Sequence, residues 1–374
     1  MKVLVINYEF PPIGGGAGKV TERLAEKLVK KGFKITVLTS GYKNLSGMSI
    51  NRGIKILRLK TLRSNIGYSS TLEKISFIIS ALFIINTLVN MEKPNLIHAH
   101  FAIPSGIVAY YIKRRYSIPY IITSHGGDIP GFSPEATVYF RLFNWFFKKV
   151  WRSADAIIAL NDELANKVRR IYKPGKVEVI PNGIDIVYKK CENRKDTYFR
   201  ILYVGRYSKQ KNLGFLISAL KDLKESNWEL FLIGDGPERG ELEKLIRLNH
   251  MNDRVHLLPW MSRDELSKFY CMSDIFCIAS INEGIPVAGL EAMANGLAIV
   301  ASNNGGNRQI VEDGVNGFLF ELGDKQDLIN KLGILMNDKL KLRKMQKESM
   351  KRAMKFDWEK IAEQYSEIYE KYSS

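Results

Sequence analysis

Ser280-Ile281-Asn282-Glu283-Gly284-Ile285-Pro286-Val287-Ala288-Gly289-Leu290-Glu291-Ala292-Met293-Ala294 sets two carboxylates around a Gly-Ile-Pro turn, with seven residues between them. Proline has no N–H to lose and a φ already close to the helical value. Pro286 therefore suits the first turn of the helix that follows. Glu283 then stands on a loop, and Glu291 a little over one turn into the helix. The free N–H groups of a helix start attract phosphate. The stretch thus offers acceptors for hydroxyls beside donors for phosphate, the combination that a sugar on a nucleotide diphosphate requires.

Outward from this stretch, short apolar runs alternate with segments of helical period, the pattern of parallel α/β sheets. The runs predict strands at 2–7, 34–39, 54–59, 96–98, 120–123, 156–159 and 177–180, then at 200–205, 228–233, 255–258, 275–278, 298–301 and 317–320. Helical patterns cover 17–31, 212–221, 238–249, 264–271, 339–355 and 358–372. Two consecutive sets imply two doubly wound, Rossmann-like domains, and 374 residues exceed one ordinary core. The first domain is read as 1–186 and the second as 187–355, with the polar stretch 188–197 as linker. The opening residues read as a first strand and not as a signal peptide. Cys191, Cys271 and Cys277 form no CxxC pair, which favours three reduced thiols in a cytosolic protein.

Charge divides unevenly. The net value is +17, yet residues up to Ile186 hold 27 Lys and Arg against 12 acids, and the remainder 29 against 27. The basic half implies an anionic partner such as membrane headgroups, phosphorylated lipid or nucleic acid. Nucleic acid is disfavoured, because the charge is spread over many helices and no binding module is present. Residues 75–91 lack charge, but polar residues interrupt them, so a buried helix covering the sheet is expected. Aromatic and basic residues interleave over 140–152, which fits a helix at a lipid interface or an amphipathic core helix with a solvated edge.

Several strand ends carry candidate chemistry. Gly14-Gly15-Gly16 follows the first strand and opens a helix, where backbone N–H groups can approach a diphosphate. It is not a P-loop, since Val20 follows Lys19, and the dinucleotide spacing fails at Lys19. Arg206 and Lys211 sit on a strand-to-helix loop where two cations can clamp a diphosphate. Asp235 is expected to cap the helix near Glu238. His98 and His100 lack a third ligand of plausible spacing, so they are read as lining a cleft and no metal is expected. His125, with Asp128 three residues on, can handle a sugar hydroxyl.

In this order, the Gly14–Gly16 loop, His125, Pro181-Asn182-Gly183-Ile184-Asp185, Val204-Gly205-Arg206, Gly234-Asp235-Gly236-Pro237 and Glu283 with Glu291 resemble the retaining glycosyltransferases of family four. That family has the GT-B architecture. The resemblance implies two Rossmann-like domains facing each other across a cleft, acceptor bound by the first and nucleotide-sugar by the second. It also implies a final helix, 356–374, crossing back onto the first domain. Glu291 would hydrogen-bond the ribose, Glu283 the transferred sugar, and Arg206 and Lys211 would neutralise the diphosphate. Gly15 and Gly16, with the N–H groups of Val287 and Ala288, would meet phosphates, and His125 the sugar near its reacting carbon. Asp128 and Asn182 would bind substrate, and Leu257 and Leu258 lie where the family's backbone meets the base.

The chemistry so implied is a metal-independent transfer with no cofactor beyond a UDP-, GDP- or ADP-sugar donor. The departing phosphate takes the acceptor's proton on the same face, so configuration is retained. Ile285, Ala298 and Asn307 depart from the family pattern, and Ile285 and Asn307 are expected near the sugar pocket. The basic first half points to a lipid-linked or membrane-borne glycan as acceptor, and to a cytoplasmic enzyme peripheral on an anionic membrane. A soluble sugar acceptor, as in sucrose or glycogen synthesis, and a non-catalytic nucleotide-sugar binder are the alternatives.

Overall fold

The computed structural model describes residues 1–67, 69–129, 134–173, 175–186, 198–223 and 227–373, with the side chains of 134–143 and of Arg263 set aside. The expected linker at 188–197 and Cys191 lie outside the described residues. The chain forms two compact units, Met1–Gly183 together with Trp358–Ser374, and Ile184–Asp357.

The first unit begins β1 (Lys2–Ile6), α1 (Gly16–Lys30), β2 (Lys34–Ser40), β3 (Gly47–Asn51), β4 (Ile54–Leu59), α2 (Thr71–Glu92) and β5 (Leu96–His100). It continues with α3 (Ile107–Tyr116), β6 (Tyr120–Ser124), α4 (Pro134–Ser153), β7 (Ala156–Ala159), α5 (Asp162–Tyr172) and β8 (Val177–Val179). One sheet runs β3-β4-β2-β1-β5-β6-β7-β8. Its strands are parallel except β3, which turns back on β4 through Arg52 and Gly53, both at positive φ. Sequence reasoning passed over β3 because Gly47–Asn51 is short and exposed throughout, with only Met48 and Ile50 to mark an alternation. The central strands are buried on both faces, as parallel strands covered by helices must be, with His98, His100, Thr123 and Ser124 as polar residues among them.

The second unit holds β9 (Phe199–Val204), α6 (Leu213–Lys221), β10 (Trp228–Ile233), α7 (Arg239–Leu248), β11 (Val255–Leu258), α8 (Arg263–Met272) and β12 (Ile275–Ile278). Then follow α9 (Val287–Ala294), β13 (Ala298–Ser302), α10 (Gly305–Ile310), β14 (Gly317–Phe320), α11 (Lys325–Asn337) and α12 (Lys339–Ala353). Its sheet is wholly parallel in the order β11-β10-β9-β12-β13-β14. The strand order reverses between β1 and β5 in the first sheet, and between β9 and β12 in the second. Open α/β sheets bind ligands outside the carboxyl ends of the strands at such switch points.

The last helix, α13 (Trp358–Tyr372), belongs to the first unit. Lys27 meets Glu359 at 2.6 Å, and Lys31 pairs with Glu363. Inside, Tyr369 Oη lies 2.5 Å from His98 Nδ1, and Tyr365 Oη 3.2 Å from Thr123 Oγ1. A Cβ on Gly183 would enter the indole of Trp358, so glycine is needed where the chain passes over that ring. Ile184 donates its N–H to Phe356 O at 2.7 Å, pairing the two ends of the second unit.

Three expectations are corrected. Helix α2 is buried on one face only: Phe77, Ala81 and Ile85 are fully covered, whereas Phe83 is 83% exposed. Its sequence is apolar all round, so periodicity could not separate the faces. Asp235 does not cap α7; its carboxylate accepts the N–H of Gly236, and Glu238 at the cap position makes no side-chain capping bond. Cys271 is disulfide-bonded rather than reduced, and Cys277 is free and buried. In the aromatic-basic stretch, Phe147, Val150 and Trp151 are buried, which fits a core helix. Trp145 remains exposed on the same helix, with the Lys149 amine 4.9 Å from its ring centre.

His98 is wholly buried, and that burial, with the neighbouring His125, pushes its pKa down to about 3. The unfolded ring takes its proton near 6.5. Between those values the unfolded chain binds more protons, so stability falls as pH falls. At pH 5 the loss from His98 alone is about 2 kcal/mol. Thermal unfolding from pH 7 to pH 5 is therefore expected to show a falling Tm, and a flat profile would contradict neutral burial.

Candidate functional site

The second unit gathers its expected residues at the carboxyl ends of the two strands flanking its switch point. Arg206 and Lys211 follow β9, and Glu283 follows β12. Lys211 Nζ contacts Glu283 Oε1 at 2.5 Å, with the carboxylate side chain 8% exposed and the lysine 22%. The two loops are tied in register. Ile281 donates its N–H to Gln210 O at 2.9 Å, and Gln210 Nε2 donates to Asn282 O at 2.8 Å. A low-exposure ion pair is costly unless its partners are held, and these bonds hold them.

Pro286 sits at the cap position of α9 and contributes no side-chain cap. The first helical residues, Val287 and Ala288, are only partly covered and their N–H groups have no intrahelical acceptor. Glu291 is the fifth residue of α9, and Tyr270 Oη of α8 donates to its Oε2 at 3.0 Å. Burial, then the neighbouring carboxylate, keeps the Tyr270 phenol well above its usual range, so it stays a donor. Tyr270 was not found from the sequence, because nothing marks which face of α8 meets α9.

The loops after β9 and β10 also interlock. Tyr207 donates its N–H to Asp235 O at 3.0 Å, and a Cβ on Gly234 would strike Gly205 O. Leu257 and Leu258 end β11 half-buried, with Leu258 O accepting from Gly234 N at 2.9 Å and from Tyr207 Oη at 3.2 Å. Ile285 and Asn307 are both buried. Asn307 Nδ2 donates to Ser302 O at 2.9 Å, which ties the start of α10 to the end of β13.

In the first unit the glycine loop does follow β1 and open α1, with Gly14 at φ +99°. A Cβ there would lie 2.5 Å from Glu9 Cβ, which is why the position takes glycine. Gly15 N–H donates to Glu9 Oε2 at 3.2 Å, so a phosphate at Gly15 and Gly16 must displace that carboxylate. Glu9 carries no motif and was overlooked. His125 is half-buried after β6, its Nε2 3.0 Å from His100 Nδ1, with stacked rings. Burial pushes the His125 pKa down to about 3, so the ring is neutral.

Asp128 faces inward. Its Oδ2 accepts the Ala102 N–H and its Oδ1 the Ser124 hydroxyl, each at 2.7 Å. It positions the loop of His125 and does not present a carboxylate to ligand. Asn182 is buried beside Gly183. Among the described residues no three His, Cys, Asp or Glu side chains are grouped to hold a metal ion.

Comparison with known proteins places the chain in a family. Residues 14–188 match the family described as Glycosyltransferase Family 4, and residues 187–352 match Glycosyl transferases group 1. An uncharacterized glycosyltransferase of Methanocaldococcus jannaschii is 31% identical, over 100% of this chain and 99% of its own. The UDP-Gal:α-D-GlcNAc-diphosphoundecaprenol α-1,3-galactosyltransferase of Escherichia coli is 26% identical over 91% of this chain and 89% of its own. The solved sucrose-phosphate synthase of Thermosynechococcus elongatus superposes with a TM-score of 0.87 at 22% identity, covering 99% of this chain and 98% of that one. The chain belongs to the group 1 glycosyltransferases, with two Rossmann-like α/β domains of the GT-B fold, and is a transferase enzyme.

Proposed function

We propose that the enzyme moves a hexose-type sugar from a UDP-, GDP- or ADP-linked donor to a lipid-linked or otherwise membrane-borne glycan, retaining configuration and using no metal. The observation that carries this is the Lys211–Glu283 pair, 2.5 Å apart at the switch point of the second unit, beside the uncapped start of α9. The glycosidic bond to phosphate breaks with negative charge developing on the departing diphosphate. Lys211, Arg206 and the N–H groups of Val287 and Ala288 supply positive charge and dipoles for that anion. The anion then accepts the proton of the acceptor hydroxyl as the new bond forms on the same face. Glu291 holds ribose and Glu283 the sugar hydroxyls. On binding, Lys211 exchanges its carboxylate partner for phosphate.

The acceptor class is supported by the basic first unit and by the Escherichia coli relative, whose name specifies a diphosphoundecaprenol-linked acceptor. On this reading the enzyme works at the cytoplasmic face of a membrane. A panel of nucleotide-sugars in a thermal-shift assay is expected to select one donor, with about 2.7 kcal/mol of stabilisation at a hundred times its Kd. That donor should then be turned over onto a prenyl-diphosphate-linked sugar, in the presence of chelator, with the anomeric configuration of the product unchanged by NMR. Inversion, loss of turnover with chelator, or transfer only to free sugars would each refute the corresponding part.

A further inference from the structure

Helix α2 presents an apolar stripe to the outside of the first unit. Leu72, Ile75, Ile79 and Phe83 are 72, 45, 51 and 83% exposed. Steps of three and four residues place them on one helix face. Leu62, 74% exposed, is fastened beside them, because its N–H donates to Ser76 Oγ at 3.0 Å. The opposite face, with Phe77, Ala81 and Ile85 fully buried, pins the helix along the unit. It can lie in an interface but not cross a membrane. Grouped apolar exposure of this kind marks a docking surface.

The surrounding charge says what covers it. From Lys27 to Gly127 there are 15 Lys and Arg and 2 acids, Glu73 and Glu92. Lys27, Lys31, Arg52, Lys55 and Lys113 pair with acids and Arg58 and Arg63 are buried, and the other eight cations include Lys60, Lys74, Arg114 and Arg115. Both acids are engaged within the fold: Glu73 accepts the N–H and hydroxyl of Ser64, and Glu92 pairs with Lys55 at 3.0 Å. Exposed Lys60 adjoins the stripe, its carbonyl accepting from Ser80 Oγ at 2.8 Å. Exposed Arg114 and Arg115 stand on α3, which is tied to α2 by the Tyr116 hydroxyl donating to Asn86 at 2.9 Å. An apolar strip with a basic border suits the boundary between anionic headgroups and acyl chains. A second copy of the chain would bring two cationic borders together, which like-charge repulsion opposes.

We propose that this face of α2 docks the enzyme on an anionic lipid bilayer, with Leu72, Ile75, Ile79 and Phe83 entering the headgroup region and Lys60, Arg114 and Arg115 meeting lipid phosphates. The proposal deepens the reading of a membrane-borne acceptor and rests on it. The test is flotation of the full chain with vesicles of phosphatidylcholine alone or doped with phosphatidylglycerol. Wild type should float with the anionic vesicles. Ile79→Ser/Phe83→Ser should weaken that binding by about tenfold or more, and Arg114→Gln/Arg115→Gln should remove much of the preference for anionic lipid. Both pairs are surface changes, so Tm and the thermal response to donor should stay as in wild type.

Unchanged flotation of Ile79→Ser/Phe83→Ser overturns the proposal. So does a wild-type dimer in sedimentation that this variant dissociates, with no vesicle binding. Vesicle binding through the stripe, combined with transfer only to free sugars, leaves the docking surface standing and overturns the acceptor reading alone.

Discussion

Lys211→Ala is expected to lower kcat/KM on the order of a thousandfold, about 4 kcal/mol, the scale for deleting one group that stabilises a developing anion. Most of the loss should appear in kcat, because the charge on the diphosphate grows as the bond to the sugar breaks. The variant also leaves Glu283 without its cation at a site where that carboxylate is 8% exposed. Some loss of Tm is therefore expected as well. Lys211→Arg keeps the charge and should recover part of kcat; Lys211→Ala/Glu283→Gln should recover Tm but not activity. Steady-state kinetics with the preferred donor, alongside thermal unfolding, separates the two effects. Equal kcat in wild type and Lys211→Ala would remove Lys211 from the leaving-group site.

Gly306→Ala is expected to cost on the order of a hundredfold in kcat/KM although Gly306 offers no chemistry of its own. A Cβ there would stand 2.5 Å from Glu283 O and would also strike Gly284 O. Neither backbone atom can rotate away, so the Glu283 loop must shift. A displacement of about 1 Å in a positioning group costs roughly 10² in rate. Overpacking of this kind also destabilises by about 1–3 kcal/mol. Kinetics and Tm measured together check both parts, and full activity with an unchanged Tm would show that the loop tolerates the methyl group.

The elements of the candidate site in the second unit were legible because each has a local cause. Pro286 and the Gly-Ile-Pro turn start α9, and the apolar runs of β9 and β12 end where Arg206 and Glu283 begin. The loop cations and the helix acid therefore come to one mouth as soon as the strand order reverses between β9 and β12. The first unit was harder to read. Glu9 has no motif and acquires its role by meeting Gly15 further along its own loop, whereas His98 and His100, expected to line a cleft, are wholly buried, with His100 meeting His125 of the loop after β6. Asp128 was placed at the right loop with the wrong direction, since one residue's spacing does not say whether a carboxylate turns to ligand or to Ala102 N–H and Ser124. The exposed face of α2 was hidden for a related reason. Its apolar residues surround the helix, and only the sheet beneath decides which of them are covered.

The sequence by itself determined the two parallel α/β units, the family, and the loop and helix that carry Glu283 and Glu291. Those follow from period, turn chemistry and helix starts, which act over a few residues. Only the tertiary structure decided that Lys211 pairs with Glu283, that Tyr270 holds Glu291, that Glu9 occupies the Gly15 N–H, and that α2 turns an apolar stripe outward. The Lys211–Glu283 and Tyr270–Glu291 pairs join different elements, the Glu9 contact closes the β1–α1 loop on itself, and the exposed face of α2 is set by how that helix packs.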